Sequence, residues 1–316
     1  MEIKKDSRIL VTGGKGFLGK AICKKLNESG YNQVFTFKRM EYDLTKEKEV
    51  ARLFSENGPF DVVIHAAADV GGIGYNREFP GSIYYNNLMM NTLVQEYARK
   101  NRVKKFVGIG SVCAYPKMTD VPFKEEDLWK GYPEETNAGY GLAKKMMMLQ
   151  SQLYRQEFDF NSIHLLMINL YGPEDHFDLE YSHVIPVLIR KFVSAKQNND
   201  KQVIVWGTGN ASRDFLYVDD AAKAVVLAME KYDKPEPINL GSGNEFKIRG
   251  IATKISELSG FEGEIVWDKT KPDGQPRRCL NTSKAEREFG FKASTSLDEG
   301  LKKTINWFER NQDKIN

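Results

Sequence analysis

The sequence predicts an α/β fold, a doubly wound parallel sheet with a smaller, interleaved α/β substrate unit, and three observations predict it. Short apolar runs alternate with segments of helical periodicity, a glycine-rich turn joins the first run to the first helix, and the pattern loosens after Tyr171-Gly172-Pro173. Strict alternation implies parallel strands with right-handed crossovers, because each helix must carry the chain back across the sheet before the next strand begins. The 316 residues leave room for two units at roughly 150 residues each.

In chain order, Arg8-Ile-Leu-Val-Thr12 is the first strand and stops at Gly13-Gly14-Lys15-Gly16-Phe17-Leu18-Gly19. Phe17, Leu18, Ala21, Ile22 and Leu26 then recur at helical spacing up to Gly30, a natural C-terminal stop. The rhythm continues with a strand at Val34 to Phe37, a helix at 46–57, a strand at Asp61 to His65, a helix through Asn91 to Asn101 and a strand at Lys105 to Gly110. Helix Tyr140 to Phe158 and strand Ser162 to Ile168 extend it. Polar loops at 175–181 lead into a helix at His183 to Lys196 and a short strand at Val203 to Trp206. Residues 214–231 read as a strand edge and an amphipathic helix, and Pro237-Ile-Asn-Leu240 as a run able to rejoin the main sheet. The expected division is therefore 1–172 with 214–241, and 173–213 with 242–316.

Composition narrows the function. Hydrophobic residues make up 41% and charged residues 28%, enough for a packed core and too apolar for disorder. The net charge is +3 with no block of like charges, which argues against a nucleic-acid or membrane-surface partner and for small-molecule ligands. The start, Met1 to Asp6, lacks the apolar core of a signal peptide, and no apolar run approaches the roughly 18 residues that span a bilayer, so a cytoplasmic location is expected. Cys23, Cys113 and Cys279 are odd in number and widely spaced; they fit neither a disulfide framework nor a metal site, and by composition alone are packing residues.

Gly13, Gly16 and Gly19 form G-x-x-G-x-x-G between strand and helix. Glycine permits the tight turn and the approach of backbone N–H groups to a pyrophosphate, and the helix N-terminus offers it partial positive charge. With the βαβ series that follows, this predicts dinucleotide binding. Lys38-Arg39 at the end of the second strand, with Lys15 in the turn, favours the 2′-phosphate of NADP(H) over the bare ribose of NAD, although Glu41 and Asp43 follow closely.

Tyr140-Gly-Leu-Ala-Lys144 places a phenol and an ammonium four residues apart on one helix face, where the ammonium can lower the phenol's pKa. Such a tyrosine exchanges a proton with a carbonyl oxygen as hydride moves to or from the carbon. Ser111, at the carboxyl end of its strand, can hydrogen-bond the same oxygen.

These motifs, with Asp61 to Ala68, Asn169-Leu-Tyr-Gly-Pro173 and Arg213-Asp-Phe-Leu-Tyr-Val-Asp-Asp220, resemble the extended short-chain dehydrogenase/reductase family, whose nucleotide-binding sheet is a Rossmann fold, over almost the whole chain. Within it, Val70-Gly-Gly-Ile73, Gly110-Ser-Val-Cys-Ala-Tyr-Pro116, Ser182-His-Val-Ile-Pro186, Val205-Trp-Gly-Thr-Gly209 and Lys271-Pro-Asp-Gly-Gln-Pro276 resemble the branch acting on GDP-4-keto-6-deoxy-D-mannose. That branch inverts C3 and C5 and then reduces C4 with NADPH to give GDP-L-fucose. The resemblance implies that Cys113 and His183 are the acid–base pair of the epimerisation, and that Ser111, Tyr140 and Lys144 serve the reduction.

It further implies cofactor contacts from Gly13, Gly14, Lys15, Gly16, Phe17, Leu18, Gly19, Lys38, Arg39, Asp43, Leu44, Ala66, Ala67, Ala68, Ile109, Gly110, Tyr140, Lys144, Asn169, Leu170 and His183. Lys191, Trp206, Arg213 and Asp273 fall at positions for the nucleotide-sugar substrate, with Arg278 added from the same basic stretch. Lys191 stands where relatives often carry arginine, keeping the charge without the bidentate fork. No metal is implied. Relatives pair as homodimers through two helices per subunit, here those carrying Asn91 and Tyr140; Met146, Met147 and Met148 on the latter read equally as internal core.

The chain departs from the branch at Met167-Ile168 in place of Pro-Thr, at Glu174-Asp-His-Phe177 in place of His-Asp-Asn-Phe, and at Asn137-Ala-Gly before Tyr140. These flank the sugar and nicotinamide sites, so a reductase or epimerase of another nucleotide-linked 4-keto sugar, such as a GDP-heptose, stays open, as does a catalytically idle NADP-sensing protein on the same fold.

Overall fold

The computed structural model describes residues 2–271 and 273–314; Pro272, from the Lys271 to Pro276 segment, and the terminal residues 1, 315 and 316 lie outside the described residues. The chain opens with β1 (Ile9–Thr12), α1 (Phe17–Glu28), β2 (Val34–Phe35), α2 (Glu47–Asn57), β3 (Val62–His65), α3 (Ile73–Glu78), α4 (Pro80–Lys100) and β4 (Lys105–Ser111). It continues through α5 (Ala138–Phe158), β5 (Ser162–Met167), β6 (Asn169–Tyr171), α6 (Val184–Asn198), β7 (Gln202–Trp206), β8 (Ser212–Tyr217), α7 (Val218–Lys231) and β9 (Ile238–Leu240). The last elements are β10 (Glu245–Lys247), α8 (Ile248–Ser259), β11 (Glu264–Asp268), β12 (Arg277–Arg278), α9 (Ser283–Phe289) and α10 (Leu297–Asn311).

Six strands form the main sheet in the order β2-β1-β3-β4-β5-β9, every pair parallel. The run at Pro237 to Leu240 does rejoin it, as β9 beside β5. β1, β3, β4 and β5 are buried along their whole length, because helices cover both faces. The pleat divides each strand between two cores. Ile9 and Val11 pack with Ile22, Leu26, Val225 and Met229 of α1 and α7, whereas Leu10 packs with Val50, Leu53 and Val94 of α2 and α4. Each such aliphatic side chain contributes about 1.5–3 kcal/mol of burial.

The remaining strands build the smaller part. β8 pairs in parallel with β6 and β12 and antiparallel with β10, while β7 pairs with β11. Phe192, Ile189, Ile255, Leu301 and Ile305 of α6, α8 and α10 close a separate core over Val203 and Val205. This core faces the carboxyl edge of the main sheet, where strand order reverses at β1 and where open α/β sheets bind ligands.

α4 and α5 are zipped by amides that reach the neighbouring helix backbone: Asn91 Nδ2 to the Ala143 carbonyl at 3.2 Å, Gln95 Nε2 to Met147 at 3.1 Å, and Gln150 Nε2 to Thr92 at 3.1 Å. Met147 and Met148 are core, Met146 is half-buried, and the large hydrophobic residues this pair exposes are Tyr84 and Tyr85 on α4 and Leu149, Leu153 and Phe158 on α5. Among the described residues, no helix is long and apolar enough to cross a membrane.

Candidate active site

A cleft of about 860 Å³ runs from the glycine turn to the smaller core. At its dinucleotide end, Gly13 has a φ of 70°, and a Cβ there would meet Ala67 N at 2.7 Å; one on Gly19 would meet the Gly13 carbonyl at 2.0 Å. α1 begins after Gly16 with neither an acidic residue in its first turn nor a side-chain cap, so its first N–H groups stay available. This turn fits a pyrophosphate. Lys15, Gly16, Phe17, Leu18, Gly19, Arg39, Asp43, Leu44, Ala66, Ala67, Ala68, Ile109, Gly110, Asn169 and Leu170 all line the cleft with Gly13.

Two expected cofactor residues do not line it. Gly14 packs inward, where a Cβ would strike Thr36 Oγ1 at 2.1 Å; its role is to seat the turn on the end of β2. Lys38 is exposed outside the lining, because β2 ends at Phe35 and the chain turns early, with the Lys38 N–H bonded to the Glu41 carboxylate. Arg39 alone of the basic pair reaches the cleft. Asp43 Oδ1 is occupied by the Thr45 N–H and hydroxyl at 3.0 and 2.7 Å.

Ser111, Cys113, Tyr140, Lys144 and His183 come together in the middle of the cleft. Ser111 ends β4, and its Oγ accepts the Cys113 N–H at 3.1 Å, starting the single 3₁₀ turn that carries the thiol. Tyr140 and Lys144 stand on the first turns of α5. Burial first, then the charge of Cys113, raises the Tyr140 phenol, against a lowering hydrogen bond with Ser111. Burial pushes Lys144 down to about 8. The expected lowering of the phenol by Lys144 is thus not found: the ammonium lies 5.8 Å from the ring centroid, and burial drives both groups toward their neutral forms. His183 occupies the N-cap position of α6 but makes no capping hydrogen bond, so its imidazole remains free for the cleft. Burial, followed by the charges of His176 and Arg278, lowers its pKa and favours the neutral ring.

At the far end, Lys191, Trp206, Arg213, Asp273 and Arg278 all line the cleft. Trp206 is half-exposed with Lys271 over its ring at 5.3 Å. Lys191 Nζ donates to the Ile204 carbonyl at 2.8 Å. Arg213 donates to the carbonyls of Ser212 and Asp273, and burial, then Arg278, lowers it to about 10. Arg278 donates to Gln275 Oε1 and, at 3.6 Å, to the Cys113 sulfur. Both guanidiniums therefore bond neutral acceptors, leaving two neighbouring charges, Arg278 buried and Arg213 half-buried, for an anion. The Asp273 carboxylate instead holds the turn at Thr208, receiving its N–H and its hydroxyl at 2.7 Å each.

Two residues inside quoted segments gain roles that the sequence did not assign them. Gln275 acts through Arg278, and Asp175 lines the cleft with one oxygen unpartnered. The glycines of Val70-Gly-Gly-Ile73 gain a physical reason: a Cβ on Gly72 would lie 2.4 Å from the Ser182 carbonyl, and its N–H donates to the Tyr181 carbonyl at 2.6 Å, closing the cleft wall. His65 is buried between Thr12 Oγ1 and Asn91 Oδ1 at 2.8 and 3.0 Å, beneath the site.

With this geometry in place, the likenesses to known proteins are extensive. Residues 9–241 match the model of the NAD dependent epimerase/dehydratase family. A probable GDP-L-fucose synthase 1 of Oryza sativa subsp. japonica is 41% identical over 97% of this chain and 93% of its own. A GDP-6-OMe-4-keto-L-xylo-heptose reductase from Campylobacter jejuni superposes with a TM-score of 0.92 at 29% identity, covering 98% and 100% of the two chains. A GDP-L-fucose synthetase from Naegleria fowleri bound to NADP superposes with a TM-score of 0.89 at 30% identity, covering 99% and 97%. Matched over most of its length in both sequence and fold, the chain belongs to the NAD dependent epimerase/dehydratase family.

Proposed function

We propose that this protein converts GDP-4-keto-6-deoxy-D-mannose to GDP-L-fucose, by 3,5-epimerisation followed by NADPH-dependent reduction at C4. One observation carries the reading: the reductase set Ser111, Tyr140 and Lys144 shares a cleft with Cys113 and His183, and Arg278 bonds the cysteine sulfur. An idle scaffold has no need of a cation fixed on a thiol.

The 4-keto group acidifies the protons on both neighbouring carbons. Cys113, on the 3₁₀ turn after β4, and His183, at the start of α6, approach from different elements, so one removes a proton while the other returns one to the opposite face. The neutral imidazole of His183 can take a proton, and the imidazolium it then becomes can return one. Ser111 then holds the carbonyl oxygen and Tyr140 protonates it, its raised pKa keeping the proton in place until charge develops on the oxygen. NADPH, when bound along the glycine turn, supplies the hydride. Arg39 and Lys15 would face its 2′-phosphate, and Lys144 its nicotinamide ribose. Arg213 and Lys191 would grip the substrate diphosphate, and Trp206 would stack on its base.

A second reading, reduction of a GDP-linked keto-heptose, is favoured by the superposition on the heptose reductase. Incubation with GDP-4-keto-6-deoxy-D-mannose and NADPH separates the two: the first reading requires NADPH oxidation and GDP-L-fucose as product, whereas the second leaves this hexose unreduced. We place the enzyme in the cytoplasm, where the free thiols of Cys23, Cys113 and Cys279 persist, and as a homodimer on the outer face of α4 and α5 around Leu149 and Leu153. We also divide the chain as 1–172 with 214–241 for the cofactor and 173–213 with 242–316 for the sugar nucleotide, except that β6 and β8 at the boundaries pair in the smaller sheet and pack in its core.

A further inference from the structure

The loop between β6 and α6 is fastened on both sides of the cleft. Glu174, at a left-handed φ of 67°, pairs with Lys20 of α1 at 2.7 Å. Three residues on, Phe177 stacks on Trp307, and its carbonyl accepts from Arg190 Nη1 at 3.1 Å. Asp175 stands between these anchors and lines the cleft together with Gly16, Phe17 and Leu18 at the start of α1. Its Oδ1 accepts the His176 N–H at 2.8 Å, while its Oδ2 is fully buried and meets no donor in the protein.

A buried polar atom without a partner marks a missing one. We propose that Asp175 completes the dinucleotide site as a neutral carboxylic acid, its Oδ2–H donating a hydrogen bond to the pyrophosphate that the glycine turn receives. The inference rests on the NADP(H) reading above. A carboxyl group gains a donor when protonated, and an ionised one here would set its charge against that of the pyrophosphate. Burial already pushes Asp175 up to about 7, relieved only by the His176 N–H. A nearby anion would push it further the same way.

The charged and titratable groups of the elements flanking Asp175 are Lys15 in the glycine turn and Lys20 on α1, and no charge is among the causes that shift its carboxyl. Glu174, His176 and Asp178 share its loop, and His183 and Arg190 belong to α6. All persist in Asp175→Asn, which keeps a donor and cannot ionise. The experiment is NADPH titration by fluorescence, with the wild type, Asp175→Asn and Asp175→Ala at about pH 6 and about pH 9, beside thermal melts. At the lower pH the wild type and Asp175→Asn bind alike, and Asp175→Ala binds about tenfold more weakly. At the higher pH the wild-type Kd rises about tenfold relative to that of Asp175→Asn. Equal pH dependence of those two proteins overturns the inference, as does unimpaired binding by a folded Asp175→Ala. Failure of the wild type to bind NADPH at either pH overturns the cofactor reading instead.

Discussion

Arg278 Nη1 lies 3.6 Å from the sulfur of Cys113, and Gln275 Oε1 fixes the same guanidinium through Nε at 3.1 Å and Nη2 at 2.7 Å. The two residues meet because β12 pairs with β8 at the edge of the cleft, opposite the turn that leaves β4. The cation faces any negative charge that forms on the sulfur, whereas Ser111 fixes the backbone beneath it.

Replacing Arg278 with glutamine should therefore slow epimerisation. A charge-assisted contact of about 3 kcal/mol corresponds to roughly a hundredfold in rate. Exchange of solvent deuterium into C3 and C5 of the keto sugar measures it, and NADPH affinity should be unchanged. Exchange at the wild-type rate would remove Arg278 from the chemistry.

Lys144 sets activity against stability. The native ammonium loses its proton near pH 8, whereas the unfolded one holds it to its ordinary value of 10.5. The unfolded state binds more protons across that window, so folding stability rises with pH there. Lys144→Met removes the burial penalty, on the order of 3 kcal/mol at neutral pH. The variant should melt higher than the wild type at pH 7, the gap narrowing as pH climbs from 8 toward 10.5, while reductase activity is lost. A variant that melts lower at pH 7 would contradict this balance.

Arg39 and Lys38 should behave differently despite being neighbours. Arg39→Ala weakens NADPH binding about tenfold, the scale of one charge-assisted phosphate contact, with little effect on NADH. Lys38→Ala leaves both affinities unchanged, because its side chain lies outside the cleft. Equal losses for the two variants would contradict the placement.

Gly72→Ala tests the wall. The new methyl would meet the Ser182 carbonyl at 2.4 Å, a backbone atom that cannot swing aside. Calorimetry should record a loss of about 1–3 kcal/mol, the usual scale of overpacking. The displaced Tyr181 and Ser182 carry His183 with them, so C3 and C5 exchange should fall too.

Local chemistry and position coincide at the β1 turn, Tyr140 with Lys144, Ser111 and Cys113, which are set by neighbours a few residues away and line one cleft. Lys38 lies outside the cleft because the second strand ends two residues earlier than its apolar run, which decides which of two adjacent cations faces inward. Asp273 carries a turn instead of a free carboxylate, a fact set by Thr208, 65 positions away. Asp175 was one acid in a polar loop; only the anchoring of that loop to Lys20 and Trp307 isolates its second oxygen. The small strands β10 to β12 carry too few residues each to announce themselves before the second core assembles them, whereas α8 to α10 do carry local signals, the left-handed Gly260 and Gly290 at two C-termini and the capping Ser296 at an N-terminus.

The most direct test of the account is to react GDP-4-keto-6-deoxy-D-mannose with NADPH and the wild-type protein in deuterated water, and to read the product by NMR beside Cys113→Ser. The account predicts GDP-L-fucose bearing deuterium at C3 and C5 from the wild type, and loss of that label from the variant with NADPH binding intact. A product reduced at C4 with its C3 and C5 protons retained, or no NADPH oxidation at all, would contradict it.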